Sequence, residues 1–167
     1  MATTTKSAGV VHTIGIGEAK VSQDPNDYLI THSLGSCIGL TLYDPVKKVG
    51  GMIHCMLPLS KMDPTKAESR PHLFTDTGST QLLQSLFDLG AERRRLIAKV
   101  AGGSSMLDEK GFFKIGERNY AVLRKVLWKN EILIAAEDVG GTVARTMTLN
   151  LADGTTTIKS LGKEVTL

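Results

Sequence analysis

The sequence has few cysteines and no hydrophobic run that approaches membrane-spanning length. Its first nine residues also lack the apolar stretch that a secretory signal requires. These absences predict a cytoplasmic protein that is not inserted in a membrane. The two cysteines, Cys37 and Cys55, are then expected to be free thiols, because the cytosol keeps thiols reduced. Their reactivity is therefore the first question that the sequence poses.

Strong charge of one sign is also lacking. The net charge of +3 is too small to indicate a nucleic-acid partner. The densest basic run, residues 93–95, has no interleaved aromatic side chains, which binding to single-stranded nucleic acid would require. We therefore expect no nucleic-acid partner.

The composition, with 41% hydrophobic and 22% charged residues, is typical of one domain with a sizeable core. Strand patterns outnumber helix patterns and do not alternate regularly with them, which predicts an α+β fold: a layered, mixed or mostly antiparallel β-sheet structure with packed helices. Helices are predicted from about residue 79 to 89 and from Gly116 onward. The segment from Pro58 to about Thr77 is predicted to be a lid or a partner-binding loop. Strands are predicted at residues 13–21, 38–43, 49–54, 96–100, 132–136, 144–150 and 155–160.

Residues 38–43 and 49–54 are predicted to form a hairpin around the turn-rich residues 44–48. If Tyr43 faces Val49, counting in antiparallel register places Cys37 opposite Cys55, with His54 one residue away.

A shift of one residue would bring His54 opposite Cys37 instead. In either case a thiol and an imidazole come close together. Because side chains alternate along a strand, only one of His54 and Cys55 shares a face with Cys37.

Three interpretations of these residues remain open at this point. Cys37 and Cys55 could be small buried hydrophobes, with His54 a hydrogen-bonded core histidine. A metal site could use Cys37, His54 or His32, and Cys55, although no Cys-x-x-Cys or His-x-x-x-His spacing supports it. The third interpretation is a catalytic Cys and His pair, with backbone amides around residues 35–37 stabilising an oxyanion. A papain-like protease is disfavoured, because Ile38 follows the cysteine and the histidine is close.

Two further motifs are interpreted as structural. Residues 101–105, Ala-Gly-Gly-Ser-Ser, lack the ending of a phosphate-binding loop and predict a tight turn near the active site. Residues 116–119, Gly-Glu-Arg-Asn, predict a helix start in which Arg118 pairs with Glu137 or Asp138.

Several ordered motifs are more specific than the Cys and His pair alone. They are residues 31–37 (Thr-His-Ser-Leu-Gly-Ser-Cys), 43–45, 50–58 (Gly-Gly-Met-Ile-His-Cys-Met-Leu-Pro), 75–76, 89–91, 101–106, 115–119 and 136–141. Together these motifs resemble the chemoreceptor glutamine deamidases called CheD, and the resemblance covers nearly the whole chain after Gly9.

The resemblance implies that Cys37 is the nucleophile, His54 the general acid and base, and Thr31 the third active-site residue. Gly35 and Ser36 are the candidates for backbone oxyanion donors. The sequence leaves open whether Thr31 acts through its hydroxyl or its carbonyl. The resemblance also implies a fold shared with the catalytic domain of cytotoxic necrotizing factor toxins, and neither a metal nor another cofactor.

The implied activity is hydrolysis of glutamine side chains to glutamate in methyl-accepting chemotaxis receptors, through a cysteine thioester. The alternative is a regulatory binding module for a CheC-type phosphatase of phosphorylated CheY, which would use the same cleft. Residues 1–9 are predicted to be a flexible N-terminal tail, and residues 10–167 a single deamidase domain.

Overall fold

The computed structural model describes residues 9–105 and 114–167, so the predicted N-terminal tail lies, except for Gly9, outside the described residues. The described strands form two five-stranded sheets. In spatial order, sheet A contains β1 (Val11–Thr13), β3 (Tyr28–Leu34), β8 (Arg145–Asn150), β9 (Thr156–Ser160) and β10 (Lys163–Thr166). Sheet B contains β2 (Glu18–Ser22), β5 (Val49–Cys55), β4 (Ile38–Asp44), β6 (Ile97–Gly102) and β7 (Ile134–Val139).

Most strand pairs are antiparallel, and β1 with β3 and β6 with β7 are parallel. Three α-helices accompany the sheets in the described part of the chain: α1 (Pro64–Ser69), α2 (Thr75–Asp88) and α3 (Ile115–Lys129). The predicted α+β class, with mixed and mostly antiparallel sheets, is confirmed.

In the described residues, two hydrophobic cores separate three layers. One core lies between sheet B and the helices, where Leu82 and Leu86 of α2 and Leu123 of α3 pack against Leu40 and Ile53. The helical spacing of these leucines places them on one face, as predicted. The second core lies between the two sheets and includes residues from both, among them Leu29, Leu34, Tyr43, Met52, Met147 and Leu149. Sheet B is therefore covered on both faces.

The first predicted strand, residues 13–21, is in fact two strands that belong to different sheets. The chain turns between them, where Gly17 has a φ of +72° that favours glycine. The Gly17 amide donates to the carbonyl of His54 at 2.8 Å, which ties this turn to sheet B.

The segment between β5 and α2 is ordered, not a structureless loop. It contains α1 and two short 3-10 turns at Ser60–Met62 and Pro71–Leu73. Asp63 caps α1 by accepting from the Lys66 amide, and Asp76 accepts from both the amide and the hydroxyl of Ser60. Helix α2 begins at Thr75, earlier than predicted.

The hairpin of β4 and β5 is present, but its predicted register is wrong by one residue. Asp44 pairs with Val49, and in consequence Ile38 pairs with Cys55 and Gly39 with His54. The reason lies in Asp44, which ends β4 and begins the turn.

The Asp44 carboxylate accepts hydrogen bonds from the amides of Val46 and Lys47 and from the guanidinium of Arg95. Burial alone would raise the pKa of this carboxyl, but these donors outweigh it and lower the pKa to about 2. The charged side chain therefore favours a strand that continues to Asp44.

No helix in residues 9–105 and 114–167 is long and apolar enough to cross a bilayer.

Candidate active site

Cys37 lies where the chain passes from sheet A to sheet B. Strand β3 ends in an irregular pairing with β8 between Thr31 and Leu34, and Ser33 adopts a φ of +59° there. The chain then turns and enters β4 directly after Cys37. The thiol is thus carried on a short loop that is anchored to a strand at each end.

The turn that follows β6 binds this loop through two of its carbonyls. The amide of Gly103 donates to the carbonyl of Cys37 at 2.8 Å, and the amide of Ser104 donates to the carbonyl of Gly35 at 2.9 Å. A Cβ atom on Gly102, whose φ is +105°, would lie 2.3 Å from the Cys37 carbonyl oxygen. The tight turn predicted at residues 101–105 is present and contacts the Cys37 loop, and only glycine fits at Gly102.

Helix α3 presses on the same turn. A Cβ atom on Gly116, in the first turn of α3, would lie 2.4 Å from the carbonyl oxygen of Ser104. Glycine at this position lets the helix backbone contact the turn directly. The start of α3 is therefore packed against the segment that holds the Cys37 loop.

His54 shares a face of sheet B with Cys37. It pairs with Gly39, which lies two residues after Cys37, so the imidazole and the thiol are diagonal neighbours on one face. Diagonal neighbours have Cα atoms about 7–8 Å apart, within reach of a long side chain such as histidine. Both residues face the space between the two sheets, with His54 only 1% exposed.

Thr31 joins sheet A to this histidine. Its Oγ1 donates a hydrogen bond to the carbonyl of Ile14 at 2.7 Å and also lies 2.7 Å from Nδ1 of His54. A hydroxyl has one proton, so the bond to Ile14 leaves Oγ1 as the acceptor and Nδ1 as the donor. His54 consequently carries its proton on Nδ1, and Nε2 presents a lone pair. The hydroxyl of Thr31, not its carbonyl, makes this contact.

The electrostatics favour a neutral pair in the resting site. Burial lowers the pKa of His54 to about 4, so the imidazole is neutral at pH 7. Burial also raises the pKa of the Cys37 thiol, an effect that its own backbone N–H opposes. Nε2 of His54 is buried without a hydrogen-bond partner among the described residues. This is the state expected of a general base before it takes up a proton. This arrangement can take a proton from a thiol and return it to a leaving group.

The backbone amides of the Cys37 loop differ in what they contact. The Gly35 amide donates to the Ser33 carbonyl at 3.0 Å, whereas the Cys37 amide faces its own thiol. The Ser36 amide has no carbonyl acceptor within the part of the chain that the structure describes. Of the amides of residues 35–37, those of Ser36 and Cys37 are therefore the two that no other backbone group in the described ranges uses.

Asn119 of α3 is a site residue that the sequence analysis missed. Its side-chain amide donates to the carbonyls of Ser36 at 2.9 Å and Met56 at 3.0 Å. Its Oδ1 lies 3.2 Å from the Thr75 hydroxyl, which shares its single proton between this oxygen and the carbonyl of Leu57 at 3.1 Å. It lies four residues before the core residue Leu123, on the apolar face of α3. A polar residue at that spacing is the signal that could have identified it.

The other candidate residues lie elsewhere. Cys55 points to the opposite face of sheet B, packs between the sheet and the helices, and its thiol pKa is raised to about 12 by burial. His32 is exposed, and its Nδ1 lies 3.5 Å from the Thr146 hydroxyl. Among residues 9–105 and 114–167, no group of three or more His, Cys, Asp or Glu side chains is arranged to hold a metal ion.

The predicted pairing of Arg118 with Glu137 or Asp138 is wrong. The Arg118 guanidinium contacts Sδ of Met62 at 3.8 Å. Asp138 pairs instead with Arg145 at 3.1 Å, and Glu137 accepts from the Tyr120 hydroxyl. The buried Arg145 is the stronger competitor because it also donates to the carbonyls of Gly102 and Gly140.

Comparison with known proteins identifies the family. The model of the family described as "CheD chemotactic sensory transduction" matches residues 56–160. A protein of Solibacter usitatus named "Probable chemoreceptor glutamine deamidase CheD" is 47% identical over 151 residues, which cover 90% of this chain and 89% of the relative. A protein of Syntrophus aciditrophicus named "Probable chemoreceptor glutamine deamidase CheD 1" is 44% identical over 149 residues, covering 89% of this chain and 93% of the relative.

Solved structures give a weaker likeness. The YfiH protein of Bacillus licheniformis aligns with a TM-score of 0.47 and 12% identity, over 80% of this chain and 61% of the other. Protein NMB0706 of Neisseria meningitidis aligns with a TM-score of 0.44 and 10% identity, over 78% of this chain and 62% of the other.

Proposed function

Because this chain belongs to the CheD family of chemotactic sensory transduction proteins, we infer that it hydrolyses glutamine side chains of chemotaxis receptors to glutamate. The relatives' names state this activity for them. One observation carries the chemistry in this chain: Nε2 of His54, on the same face as Cys37, is buried and has no hydrogen-bond partner within residues 9–105 and 114–167, while Nδ1 contacts Thr31. Cys37 is the proposed nucleophile, and His54 the proposed general base and acid.

In the first step, Nε2 of His54 removes the proton of the Cys37 thiol while Sγ attacks the side-chain carbonyl carbon of glutamine. A C–S bond forms, and the electron pair of the carbonyl π bond moves to oxygen. The amides of Ser36 and Cys37 are the proposed donors to this oxyanion, since no other backbone group of the described residues uses either of them.

In the second step, the oxyanion collapses and the C–N bond breaks. His54 gives the proton from Nε2 to the departing nitrogen, which leaves as ammonia, and a thioester remains. Water then attacks the thioester as His54 takes one of its protons, the C–S bond breaks, and the thiolate recovers that proton. One glutamine and one water thus yield one glutamate and one ammonia.

Thr31 is proposed to hold His54 in the tautomer that this cycle needs. As long as its hydroxyl donates to Ile14, Oγ1 can only accept from Nδ1. A histidine with its proton on Nε2 could not take the thiol proton. Thr31 would therefore act through orientation, without contact with the substrate.

The test uses purified receptor fragments that contain candidate glutamines. Wild-type protein should release ammonia and increase the mass of single receptor peptides by about 1 Da, the difference between an amide and an acid. Cys37→Ala should lower the rate by at least about 10³-fold. Cys55→Ala is the matched control and should retain the rate, because its thiol lies on the other face of the sheet. Full activity of Cys37→Ala would contradict the mechanism.

We propose a cytoplasmic protein, in keeping with its two free thiols, and a fold shared with cytotoxic necrotizing factor catalytic domains. A CheC-type phosphatase is proposed as a regulatory partner that uses the same cleft. A pull-down in which Cys37→Ala retains that partner but releases no ammonia would separate binding from catalysis.

A further inference from the structure

We propose that Asn119 is a positioning residue of the active site, whose side-chain amide orients the peptide unit between Ser36 and Cys37. The inference rests on the proposed function and assigns the role to a helix that carries none of the three residues proposed for the chemistry. It is motivated by a polar side chain that is fully buried at the junction of three segments.

The geometry of the Ser36–Cys37 peptide unit determines where its N–H points. The carbonyl of Ser36 and the amide of Cys37 belong to the same planar trans peptide, in which C=O and N–H point in opposite directions. Asn119 holds that carbonyl at 2.9 Å from the side of α3. The Cys37 N–H is thereby directed away from the helix, and it faces the Cys37 sulfur.

The side-chain NH₂ group of Asn119 also binds the segment that carries His54. Its other proton goes to the carbonyl of Met56, which follows β5 two residues after His54. One side chain therefore joins the loop before the proposed nucleophile to the end of the strand that holds the proposed base. A shift of either segment would break one of these two bonds.

The two carbonyls also fix the orientation of the amide. Only the nitrogen can donate to the carbonyls of Ser36 and Met56, so Oδ1 faces Thr75 at the start of α2. The Thr75 hydroxyl lies 3.2 Å from Oδ1 and 3.1 Å from the carbonyl of Leu57, and its single proton serves these two acceptors. Asparagine thus uses both donors and its acceptor, in a position where α3 is pressed against the turn through Gly116. Neither Asp nor Leu, which have similar size, could supply two donors.

The experiment measures kcat and KM for receptor deamidation, per folded molecule, in Asn119→Ala and Asn119→Asp. We expect kcat to fall about 10- to 100-fold with KM changed less than about threefold, because a misdirected donor affects mainly the transition state. The matched control is Asn130→Ala. Asn130 caps the other end of α3 through Val126, so its loss should lower stability without changing kcat.

A second readout does not depend on the receptor. The pH dependence of Cys37 alkylation by iodoacetamide should move upward by about half a pH unit or more in Asn119→Ala, because the thiolate loses a fixed N–H donor. It should not move in Asn130→Ala. If wild-type protein released no ammonia, the proposed function would fail while this comparison would still decide the role of Asn119.

Thr75 provides a test if the Asn119 variants do not fold. Thr75→Val removes the hydroxyl that faces Oδ1 of Asn119, together with its contact to the Leu57 carbonyl, and should lower kcat and move the Cys37 alkylation profile upward. Thr75→Ser retains the hydroxyl and should restore both. The proposal is overturned if folded Asn119→Ala retains the wild-type kcat and alkylation profile, if Asn130→Ala loses as much activity, or if Thr75→Val and Thr75→Ser behave alike.

Discussion

The two faces of sheet B carry one cysteine each, and the two thiols have very different surroundings. Cys37 faces the other sheet, where it is 9% exposed, and His54 shares its face. Cys55 faces the helices, is completely buried, and has a pKa raised to about 12. Cys55 is the direct neighbour of His54 in sequence, yet its thiol cannot give a proton to that histidine, because the two side chains lie on opposite faces of the sheet.

The difference shows that strand alternation decides which thiol meets the base. It also shows that burial alone does not make an active site. Both cysteines are desolvated, but only Cys37 lies beside backbone amides and a base with a free lone pair. Four predictions test this contrast, from the largest effect to the smallest.

His54→Ala should remove the proposed base and acid from the face of sheet B that carries Cys37. Without a base and acid on that face, we expect the deamidation rate to fall by about 10³-fold, within the range for general acid and base catalysis. Ammonia release from receptor fragments measures it. His32→Gln is the control: this exposed histidine should be replaceable with a change of less than about twofold. Equal losses in both variants would contradict the assignment of the base.

Thr31→Val should weaken the same face without removing any group proposed to react. Nδ1 of His54 would lose its acceptor, and the fraction of imidazole with a free Nε2 would fall. We expect kcat to decrease about 10- to 100-fold, less than for loss of the base itself. Thr31→Ser, which keeps the hydroxyl, should recover most of the activity. If Thr31→Ser is as slow as Thr31→Val, packing and not the hydroxyl is responsible.

The deamidation activity of the Cys37 face should be lost only at an unusually low pH. Because burial lowers the pKa of His54 from 6.5 to about 4, kcat/KM should stay constant down to about pH 5 and decrease about tenfold per pH unit well below pH 4. In the unfolded chain His54 takes up a proton near pH 6.5, whereas in the folded chain it takes up a proton only near pH 4. The contribution of His54 to stability is therefore complete above pH 6.5 and is lost as the pH falls through this window. An acid limb at pH 6.5 would contradict the burial of His54.

Cys55→Ala should change stability rather than catalysis. Removal of a fully buried sulfur from the core between sheet B and the helices should lower the free energy of unfolding by about 1 kcal/mol. Urea denaturation measures this effect, and kcat per folded molecule should change less than about twofold. A large loss of kcat with unchanged stability would mean that the two faces are coupled.

The hairpin was predictable because its turn residues and its alternation are local signals. Its register was not, because Asp44 belongs to the strand by virtue of contacts with Arg95, 51 residues away in the chain. The apolar faces of α2 and α3 were equally predictable from helical spacing. The division of residues 13–21 between two sheets was not, since it depends on what each half pairs with.

The candidate site shows the same division. Cys37 and His54 were identified from a short stretch of sequence, and the motif resemblance added Thr31. How Thr31 acts could not be predicted, because its hydroxyl bridges β3, the turn before β2 and β5 at once. Asn119 escaped notice for a similar reason: its partners Ser36 and Met56 are 83 and 63 residues away.

By itself, the sequence determined the elements with local patterns, the family, and the presence of a thiol and an imidazole on one hairpin. Only the tertiary structure decided that His54, and not Cys55, shares a face with Cys37, which nitrogen of His54 keeps its proton, and which side chain holds the Ser36 carbonyl. Each of these depends on a hydrogen bond or a pairing between residues distant in the chain. Such contacts form only when the two sheets and the helices pack together.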